Sequence, residues 1–523
     1  MDSPTPDAPP SPRRRAWRIA GRIVNVAGNV ALAFALLVAL FIVLPPPAPP
    51  APAPPPDGAL AIVGATVVDV VAGALRDDQT VIVEAGRIAQ VGPRATTAVP
   101  GGAVTLDGRG RFVMPGLWDM HVHLATAMAP QMTLPLFVAN GVTSVREMGD
   151  GPSVARKRRW QQAIRDDDLL GPAIVALPIA VIGRHAAENR DDFGAHAERA
   201  AERGEFLKVY DALLPAQHAA LLDAARARGV SVVGHRPRSV AAIDAARAGQ
   251  RSIEHARLFL FEAFAGSDTL RARYARAYDA VARGEMPDDR VPLDTDLMRA
   301  MLDEHDPARF AAIVNVLVEH DTWFCPTHLT REMDARADDP AYRSDPRLRY
   351  VHVLQRRLWR ADADGMVTLD PSPRGRQTFR DVHAKALQLT GAAHRAGVRI
   401  LAGTDANDSY VVPGFSLHDE LALLVEAGLT PAEALRTATV NPAAFFGRAG
   451  LHGVVAPGAA ADLLVLSADP LRDIGHTRAI DAVIVDGALY RRGALDAMLA
   501  SAARRAYSPR VGVKMLWFAL VDG

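Results

Sequence analysis

Short runs of Val, Ile and Leu alternate along most of the chain with longer stretches rich in Ala, Leu, Glu and Arg. Such alternation predicts parallel β-strands, each followed by a helix that packs on the outside of the sheet. The strand candidates in this region are residues 173–177, 206–210, 230–234 and 398–402. Over residues 116–449 the economical arrangement is a TIM-like (β/α)8 barrel, so we predict an α/β fold.

Val- and Ile-rich segments with tight turns flank the predicted barrel on both sides. Residues 58–115 contain a hairpin whose turn is Glu84-Ala85-Gly86, and residues 450–492 have the same texture. We predict that these two segments pack together as one composite β-sandwich. Residues 493–523 would then form a C-terminal tail, in which the apolar stretch is too short to span a bilayer.

The N-terminal region carries five arginines within residues 1–22, followed by an apolar run over residues 23–44 that is broken only by Asn25 and Asn29. About 20 apolar residues span a hydrocarbon core, and positive charge on one side favours a cytoplasmic N-terminus. We therefore predict a transmembrane helix at 23–44 in a single-pass membrane protein, with its catalytic body on the outer (periplasmic or extracytoplasmic) side. A cleaved signal peptide is the competing interpretation. The proline-rich residues 45–57 are predicted to form an extended linker.

Composition limits the partners and the possible metal ligands. The 59 basic and 59 acidic residues balance, which argues against nucleic acid as a partner because phosphate neutralisation needs a basic face. The single cysteine, Cys325, excludes an intrachain disulfide and a cysteine-rich zinc site. A metal would therefore have to be held by histidine, carboxylate or a less usual ligand.

The strongest local motif is Pro-Gly-Leu-Trp-Asp-Met-His-Val-His at residues 115–123. Residues two apart on a strand share a face, so His121 and His123 could reach one metal ion. Three further metal-competent groups each end an apolar run, at His235, His255 and Asp405. The carboxyl-terminal ends of barrel strands are where barrel enzymes build their sites, so we expect these side chains to converge.

Lys208 lies inside the apolar strand candidate 206–210. A buried lone ammonium is costly, and an ion pair or a snorkelling side chain would be the ordinary explanations. We favour reaction of the lysine with CO2, because the resulting carbamate is anionic and has two oxygens that can bridge two cations. Tyr210 points to the same side and could donate to an oxyanion, and Asp405 could act as general base and then general acid.

These motifs resemble the amidohydrolase superfamily, in the group related to imidazolonepropionase and the Xaa-Pro dipeptidases (prolidases). The resemblance extends from about residue 59 to residue 490 and also includes residues 141–146, 234–235, 253–255 and 403–405. It implies a binuclear site with two divalent ions, expected to be Zn²⁺. His121, His123 and Asp405 would hold one ion, His235 and His255 would hold the other, and carboxylated Lys208 and a hydroxide would bridge them.

Four residues are predicted to contact substrate: Arg184, His185, Tyr210 and His328. An arginine can clamp a carboxylate through two hydrogen bonds, and relatives often carry a substrate-contacting histidine where this chain has His185. With Asp405 and Tyr210, His185 would complete the catalytic group. One departure from the dipeptidase pattern is that Asp211-Ala212-Leu213 follows the lysine strand in place of a Gly-Gly turn, which weakens the case for dipeptide specificity.

The resulting hypothesis is a membrane-anchored, binuclear metal-dependent amidohydrolase. A bridging hydroxide would cleave amide-type C–N bonds of small molecules such as dipeptides, N-acyl amino acids or cyclic amides. An ester, lactone or organophosphate hydrolase with the same site is an alternative. A mononuclear deaminase is another, although a one-metal site has no need of Lys208. A non-catalytic scaffold is least favoured, because every expected ligand type is present. The sequence is compatible with a homo-oligomer.

Overall fold

A computed structural model describes residues 12–43, 58–124, 130–149, 153–184, 192–285 and 294–521. The predicted linker at 45–57 lies outside these described residues. The strands within them are β1 (Leu60–Asp69), β2 (Ala74–Glu84), β3 (Arg87–Pro93), β4 (Val104–Asp107), β5 (Phe112–Pro115), β6 (Leu117–Val122), β7 (Val142–Glu147), β8 (Ala173–Ala176), β9 (Pro178–Ile182), β10 (Phe206–Val209), β11 (Val232–Gly234), β12 (Ser252–Glu254), β13 (Trp323–Cys325), β14 (Leu463–Leu466), β15 (Ile480–Val485) and β16 (Ala488–Arg491).

Helices occupy most of the remaining described chain. They are α1 (Pro12–Val43), α2 (Pro130–Ala139), α3 (Val154–Arg165), α4 (Phe193–Arg203), α5 (Pro215–Arg226), α6 (Ala242–Arg247), α7 (Leu258–Glu262), α8 (Ser267–Ala282), α9 (Thr295–Asp303), α10 (Pro307–Glu319), α11 (His328–Arg336), α12 (Pro340–Arg343), α13 (Val353–Leu369), α14 (Pro373–Arg395), α15 (Phe415–Glu426), α16 (Pro431–Thr437), α17 (Val440–Phe445), α18 (Arg492–Arg505) and α19 (Pro509–Val521). Two 3-10 helices span Pro346–Tyr350 and Ile474–Arg478.

One eight-stranded sheet joins the two ends of the chain. Its strands follow the order β16-β15-β14-β5-β1-β2-β3, with β4 paired to β1. The junction between the two ends is the antiparallel pair of β14 with β5, in which Leu464 lies opposite Met114. Residues from both ends, including Ile62, Val113 and Val465, share one small apolar core. The two ends of the chain therefore share one sheet, while the composite β-sandwich with boundaries at 58–115 and 450–492 stays a prediction.

Parallel strands β6 to β13 supply seven of the eight barrel positions, because the consecutive strands β8 and β9 share one position. They fall into two ladders, β6-β7-β8 and β9-β10-β11-β12-β13. The ladders meet at Leu177, because β8 ends at Ala176 and β9 starts at Pro178, which has no N–H to donate to a neighbouring strand. Every residue of β6, β7 and β10 is buried, as expected for strands covered on both faces.

The segment around residues 400–406 occupies the eighth barrel position. It pairs with β13 through the bridge Phe324–Ile400 and with β6 through the bridge Val122–Ala406. The N–H of Leu401 donates to the Phe324 carbonyl at 2.9 Å, and the N–H of Met120 donates to the Ala402 carbonyl at 2.9 Å. These contacts close the barrel. They also bring His121, the first candidate ligand in the chain, and Asp405, the last, to the same rim of the barrel.

The N-terminal helix corrects one prediction. Among the described residues, no helix has both the length and the apolar character required to cross a bilayer. Helix α1 starts at Pro12 and so contains all the N-terminal arginines, and after Asn25 and Asn29 only residues 30–43 are continuously apolar. That segment falls short of the roughly 20 residues a span requires. The predicted transmembrane anchor at 23–44 and the single-pass membrane location with an outer catalytic body are therefore wrong, and the membrane as a partner is not supported.

Candidate metal centre

The predicted ligands come together at the carboxyl-terminal rim of the barrel. Asp405 Oδ1 lies 3.0 Å from His123 Nε2 and 3.4 Å from His121 Nε2. Its other oxygen lies 3.6 Å from His255 Nδ1. His255 Nε2 is in turn 3.0 Å from His235 Nε2. Ligand atoms of His121, His255 and Asp405 all fall within 4.8 Å of one another, which is close enough to hold one ion.

Hydrogen bonds fix the tautomers of the first histidine pair. The Nδ1–H of His121 donates to Glu254 Oε2 at 3.0 Å, and the Nδ1–H of His123 donates to the Gly149 carbonyl at 2.7 Å. Each Nε2 therefore presents a lone pair, and the two Nε2 atoms are 3.3 Å apart. Two lone pairs beside the Asp405 carboxylate repel one another in the absence of a cation, so this donor set fits a bound metal ion.

His235 and His255 form the second pair. The Nδ1–H of His235 donates to Asp211 Oδ1 at 2.7 Å, and Asp211 Oδ2 accepts from Arg238 Nε at 2.9 Å. His255 Nδ1 is 2.8 Å from the hydroxyl of Thr327. Carboxylates and hydroxyls that hold the far nitrogen of a metal-binding imidazole orient the ring and increase its basicity. Asp211, noted in the sequence only as a departure from a Gly-Gly turn, thus has a direct role in positioning His235.

Lys208 lies in β10 with its side chain fully buried. Its Nζ has no hydrogen-bond partner anywhere in the described part of the chain, and it lies 5.4 Å from the centre of the Tyr210 ring. Burial lowers the pKa of Lys208 to about 8, against the raising effect of nearby carboxylates. The neutral amine is therefore accessible near neutral pH, and an unpaired buried amine is an unusual feature that calls for a partner.

The orientation of Asp405 is set by hydrogen bonds between strand β6 and residues 404–405. Asp119 accepts hydrogen bonds from the N–H of His121 at 3.2 Å, and from the N–H and hydroxyl of Thr404 at 3.0 and 2.6 Å. The N–H of Asp405 donates to the His121 carbonyl at 2.8 Å. Asp405 also has a φ of +63°, a left-handed conformation that is uncommon for residues other than glycine. The surrounding bonds therefore impose the direction of this carboxylate.

The protonation states suit metal binding. Burial raises the pKa of Asp405, but the neighbouring His121, His123 and His255 outweigh it and bring the pKa well below its ordinary value. Burial lowers the pKa of His121 to about 4. The site thus offers an ionised carboxylate and a neutral imidazole at neutral pH, and these are the forms that bind a divalent ion.

A second group of ligand-type atoms, from His121, Glu254 and Cys325, lies directly behind the site. Glu254 accepts from Arg146 at 2.9 Å and from the Ser252 hydroxyl at 2.5 Å, in addition to its bond from His121. Burial also raises the pKa of the Cys325 thiol well above its ordinary value, so the thiol stays protonated. This group is therefore a hydrogen-bonded support for His121.

A cavity of about 390 Å³ opens onto the candidate ligands. That volume lies in the range of small-molecule sites. Tyr210 forms one wall and stacks on His235 with ring centres 4.0 Å apart, and the Arg184 guanidinium lies 5.4 Å from the centre of the Tyr210 ring. The wall also contains charged and polar groups that the sequence did not single out: Arg257, Thr330, Arg331, Asn407 and Asp408.

The remaining predicted substrate residues differ in their placement. His185 lies outside the described residues. His328 is the first residue of α11 and is fully buried, and its side chain is not part of the cavity wall. Its backbone N–H donates to Glu420 Oε1 at 3.0 Å. Substrate contact by His185 and His328 stays a prediction, whereas Tyr210 lies at the cavity with Arg184 beside it.

Comparison with known proteins identifies the family. The amidohydrolase family model matches residues 112–489, which is more than half of the chain. The chain belongs to the amidohydrolase family. The donor groups at the barrel rim fit the divalent metal use of this family.

Solved structures share the fold of this chain. A solved Xaa-Pro dipeptidase aligns over 83% of this chain and 100% of its own, with 20% identity and a TM-score of 0.57. The bottromycin amidohydrolase covers 86% of this chain and 90% of its own, with 23% identity and a TM-score of 0.63. These likenesses show the fold. The suspected relation to prolidase-like amidohydrolases is confirmed.

Sequence relatives match locally. A dihydroorotase from Pelotomaculum thermopropionicum is 51% identical over 65 residues, which is 12% of this chain and 14% of that enzyme. The chain thus matches only a small part of the length of this relative. The identity within this segment indicates common ancestry with the dihydroorotase.

Proposed function

We propose that the chain is a binuclear metal-dependent amidohydrolase that cleaves amide-type C–N bonds in small molecules such as dipeptides, N-acyl amino acids or cyclic amides. The observation that carries this proposal is a buried lysine amine that has no hydrogen-bond partner among the described residues and whose charge interacts with Asp405, His121 and His235. One ion would be held by His121, His123 and Asp405, and the other by His235 and His255. Lys208 would bridge them as a carbamate.

The two-ion assignment rests on Lys208. Burial favours its neutral amine, which can attack CO2 and release a proton to give a carbamate. The product has one negative charge and two oxygens. Its formation would account for a buried Nζ that has no hydrogen-bond partner among the described residues. A site with a single ion has no use for such a bridge, so the mononuclear deaminase is less favoured.

Two bound ions would supply Lewis-acid polarisation of the substrate carbonyl and make an attacking water more acidic. Asp405 is placed to accept the proton of that water, because its carboxylate is ionised and faces the cavity. The same carboxyl group can then deliver the proton to the departing amine, as general base and general acid in turn. The Tyr210 hydroxyl would donate a hydrogen bond to the oxygen that gains negative charge.

Replacement of the lysine tests this proposal. Lys208→Ala should lose activity by at least about 100-fold, because the bridging anion is removed from between two cations. Acetate or propionate should restore part of the activity by entering the vacated space as a carboxylate. Lys385→Ala, on helix α14, is the matched control and should keep full activity. Full activity in Lys208→Ala would refute the carbamate, and inactivity of the wild-type chain on every amide tried would count against the hydrolase itself.

A further inference from the structure

Arg257 is a cation of the cavity wall that makes no direct hydrogen bond or ion pair with any described residue, although the charges of Asp211 and Asp334 act on it from a distance. It follows His255 closely in the chain and lies partly buried at the start of α7. It lines both the main cavity and a small space of about 30 Å³ beside His235. No hydrogen bond or ion pair of its guanidinium is found with any described residue. Because Arg257 lines these spaces together with His235 and His255, its donors are available to a molecule that binds in the cavity.

The acidic residues near Arg257 are already engaged. Asp211 binds His235 and Arg238, with 2.7 and 2.9 Å separating the bonded atoms. Asp334 is paired with Arg331, which also lines the cavity. Both carboxylates therefore direct their hydrogen bonds to other groups, and they act on Arg257 only through their charge, so its N–H donors are not engaged by them. A guanidinium stays protonated and offers planar, paired N–H donors that match a carboxylate.

We propose that Arg257, assisted by the charge of Arg331, binds a free carboxylate on the amine half of the substrate. The substrates would then be N-acyl amino acids or dipeptides, and neutral cyclic amides would be poor. In such molecules one α-carbon separates the amide nitrogen from the carboxylate. Arg257 is a neighbour of His235 and His255 in the wall, so a carbonyl at the metal centre would place that carboxylate near the guanidinium. This inference rests on the proposed amide hydrolysis.

Other charges of the wall are consistent with a monoanion. Asp405 and Asp408 also line the cavity, and their negative charge disfavours a more highly charged group such as a phosphate. The volume of about 390 Å³ suits a small substrate. Arg184, proposed from the sequence as a carboxylate clamp, lies against the Tyr210 ring, while Arg257 lies in the cavity wall itself.

Matched ligand pairs test the inference with the zinc-loaded full chain. Hydrolysis of N-acetyl-L-phenylalanine and N-acetyl-L-leucine is compared with that of their decarboxylated counterparts, N-acetyl-2-phenylethylamine and N-acetyl-3-methylbutylamine. Binding of L-phenylalanine and of 2-phenylethylamine, which need no turnover, is measured by calorimetry. The wild type should prefer the carboxylate member about 10- to 100-fold in both readouts, and chiefly through KM in the kinetic one.

Arg257→Gln should abolish that preference, and Arg257→Lys should retain part of it because the charge remains without the planar fork. Arg276→Gln, on the exposed face of α8, is the control and should leave the preference unchanged. An undiminished preference in a folded Arg257→Gln, or no preference in the wild type, overturns the inference. Hydrolysis of amides without carboxylate preference would leave the proposed function standing. Carboxylate-selective binding without hydrolysis would support Arg257 and count against the proposed function. Should Arg257→Gln not fold, Arg257→Lys and the wild-type ligand pairs decide.

Discussion

Asp211 is expected to control how tightly the centre holds the ion at His235. Its carboxylate accepts from His235 Nδ1 at 2.7 Å and from Arg238 Nε at 2.9 Å, so it fixes both the tautomer and the direction of the ring. Asp211→Asn keeps the size of the side chain but removes its charge. The amide oxygen can still face only one of the two donors, and its NH2 group meets the other donor with no acceptor between them.

The magnitude follows from the type of contact. Loss of a carboxylate that supports a metal-binding histidine typically costs about 10- to 100-fold in metal affinity. That factor corresponds to about 1.4 to 2.7 kcal/mol of binding free energy. Burial raises the pKa of Asp211, but His235, Arg257 and Arg238 bring it well below its ordinary value, so the full negative charge is present at neutral pH. The upper half of the range is therefore expected for Asp211→Asn.

Competition against a chromogenic zinc chelator measures this effect. Asp211→Asn should release one ion at a chelator concentration about 10- to 100-fold lower than the wild type, while the other ion is held nearly as before. Asp244→Asn, an exposed carboxylate on α6, serves as the control and should match the wild type. Unchanged affinity in Asp211→Asn, or an equal loss in Asp244→Asn, would refute the assignment of this role to Asp211.

Two further substitutions probe the support behind His121. Glu254→Gln should destabilise the chain by about 3 kcal/mol at neutral pH, because Arg146 and His121 overcome the effect of burial and lower the pKa of Glu254 from 4.5 to about 2. Because the pKa of Glu254 is lower in the folded state than in the unfolded state, its ionised carboxylate stabilises the fold fully only above about pH 4.5. The difference between wild type and Glu254→Gln in free energy of unfolding by urea should therefore shrink as the pH falls from about 4.5 towards 2. A difference that does not change with pH would contradict this reasoning. Gly403→Ala would place a Cβ 2.5 Å from Cys325 Sγ and 2.7 Å from His121 Cβ, so the zinc affinity and the melting temperature should both fall. Gly365→Ala, which has open space around the new Cβ, is the control and should leave both quantities unchanged.

The sequence was sufficient to anticipate the barrel and the groups that meet at its rim, but not the character of the N-terminal helix. Local patterns explain this success. A His-x-His pair on an apolar strand and polar residues at strand ends are visible without knowledge of distant contacts, and parallel strands bring their carboxyl ends together. The structure accordingly brings His121, His123, His235, His255 and Asp405 together at the rim. The eighth barrel position, predicted as a strand at 398–402, is reduced to single bridges.

The contacts that orient the candidate ligands could not be predicted from the sequence, because they join segments that are far apart in the chain. Glu254 is 133 residues from His121, and no periodicity of either segment indicates that they meet. Arg257 gives no sequence signal of its own, since its significance depends on other residues engaging its acidic neighbours. The membrane prediction failed for a related reason. Apolar content marked residues 23–44, but the helix actually begins at Pro12 and includes the arginines.

Elemental analysis of the purified chain tests the central claim most directly. A centre bridged by a carboxylated lysine should return about two divalent ions per wild-type chain, and Lys208→Ala should return about one or fewer because the shared anion is gone. Lys385→Ala should match the wild type. A wild-type content of one ion or none, or an unchanged content of two in Lys208→Ala, would contradict the account.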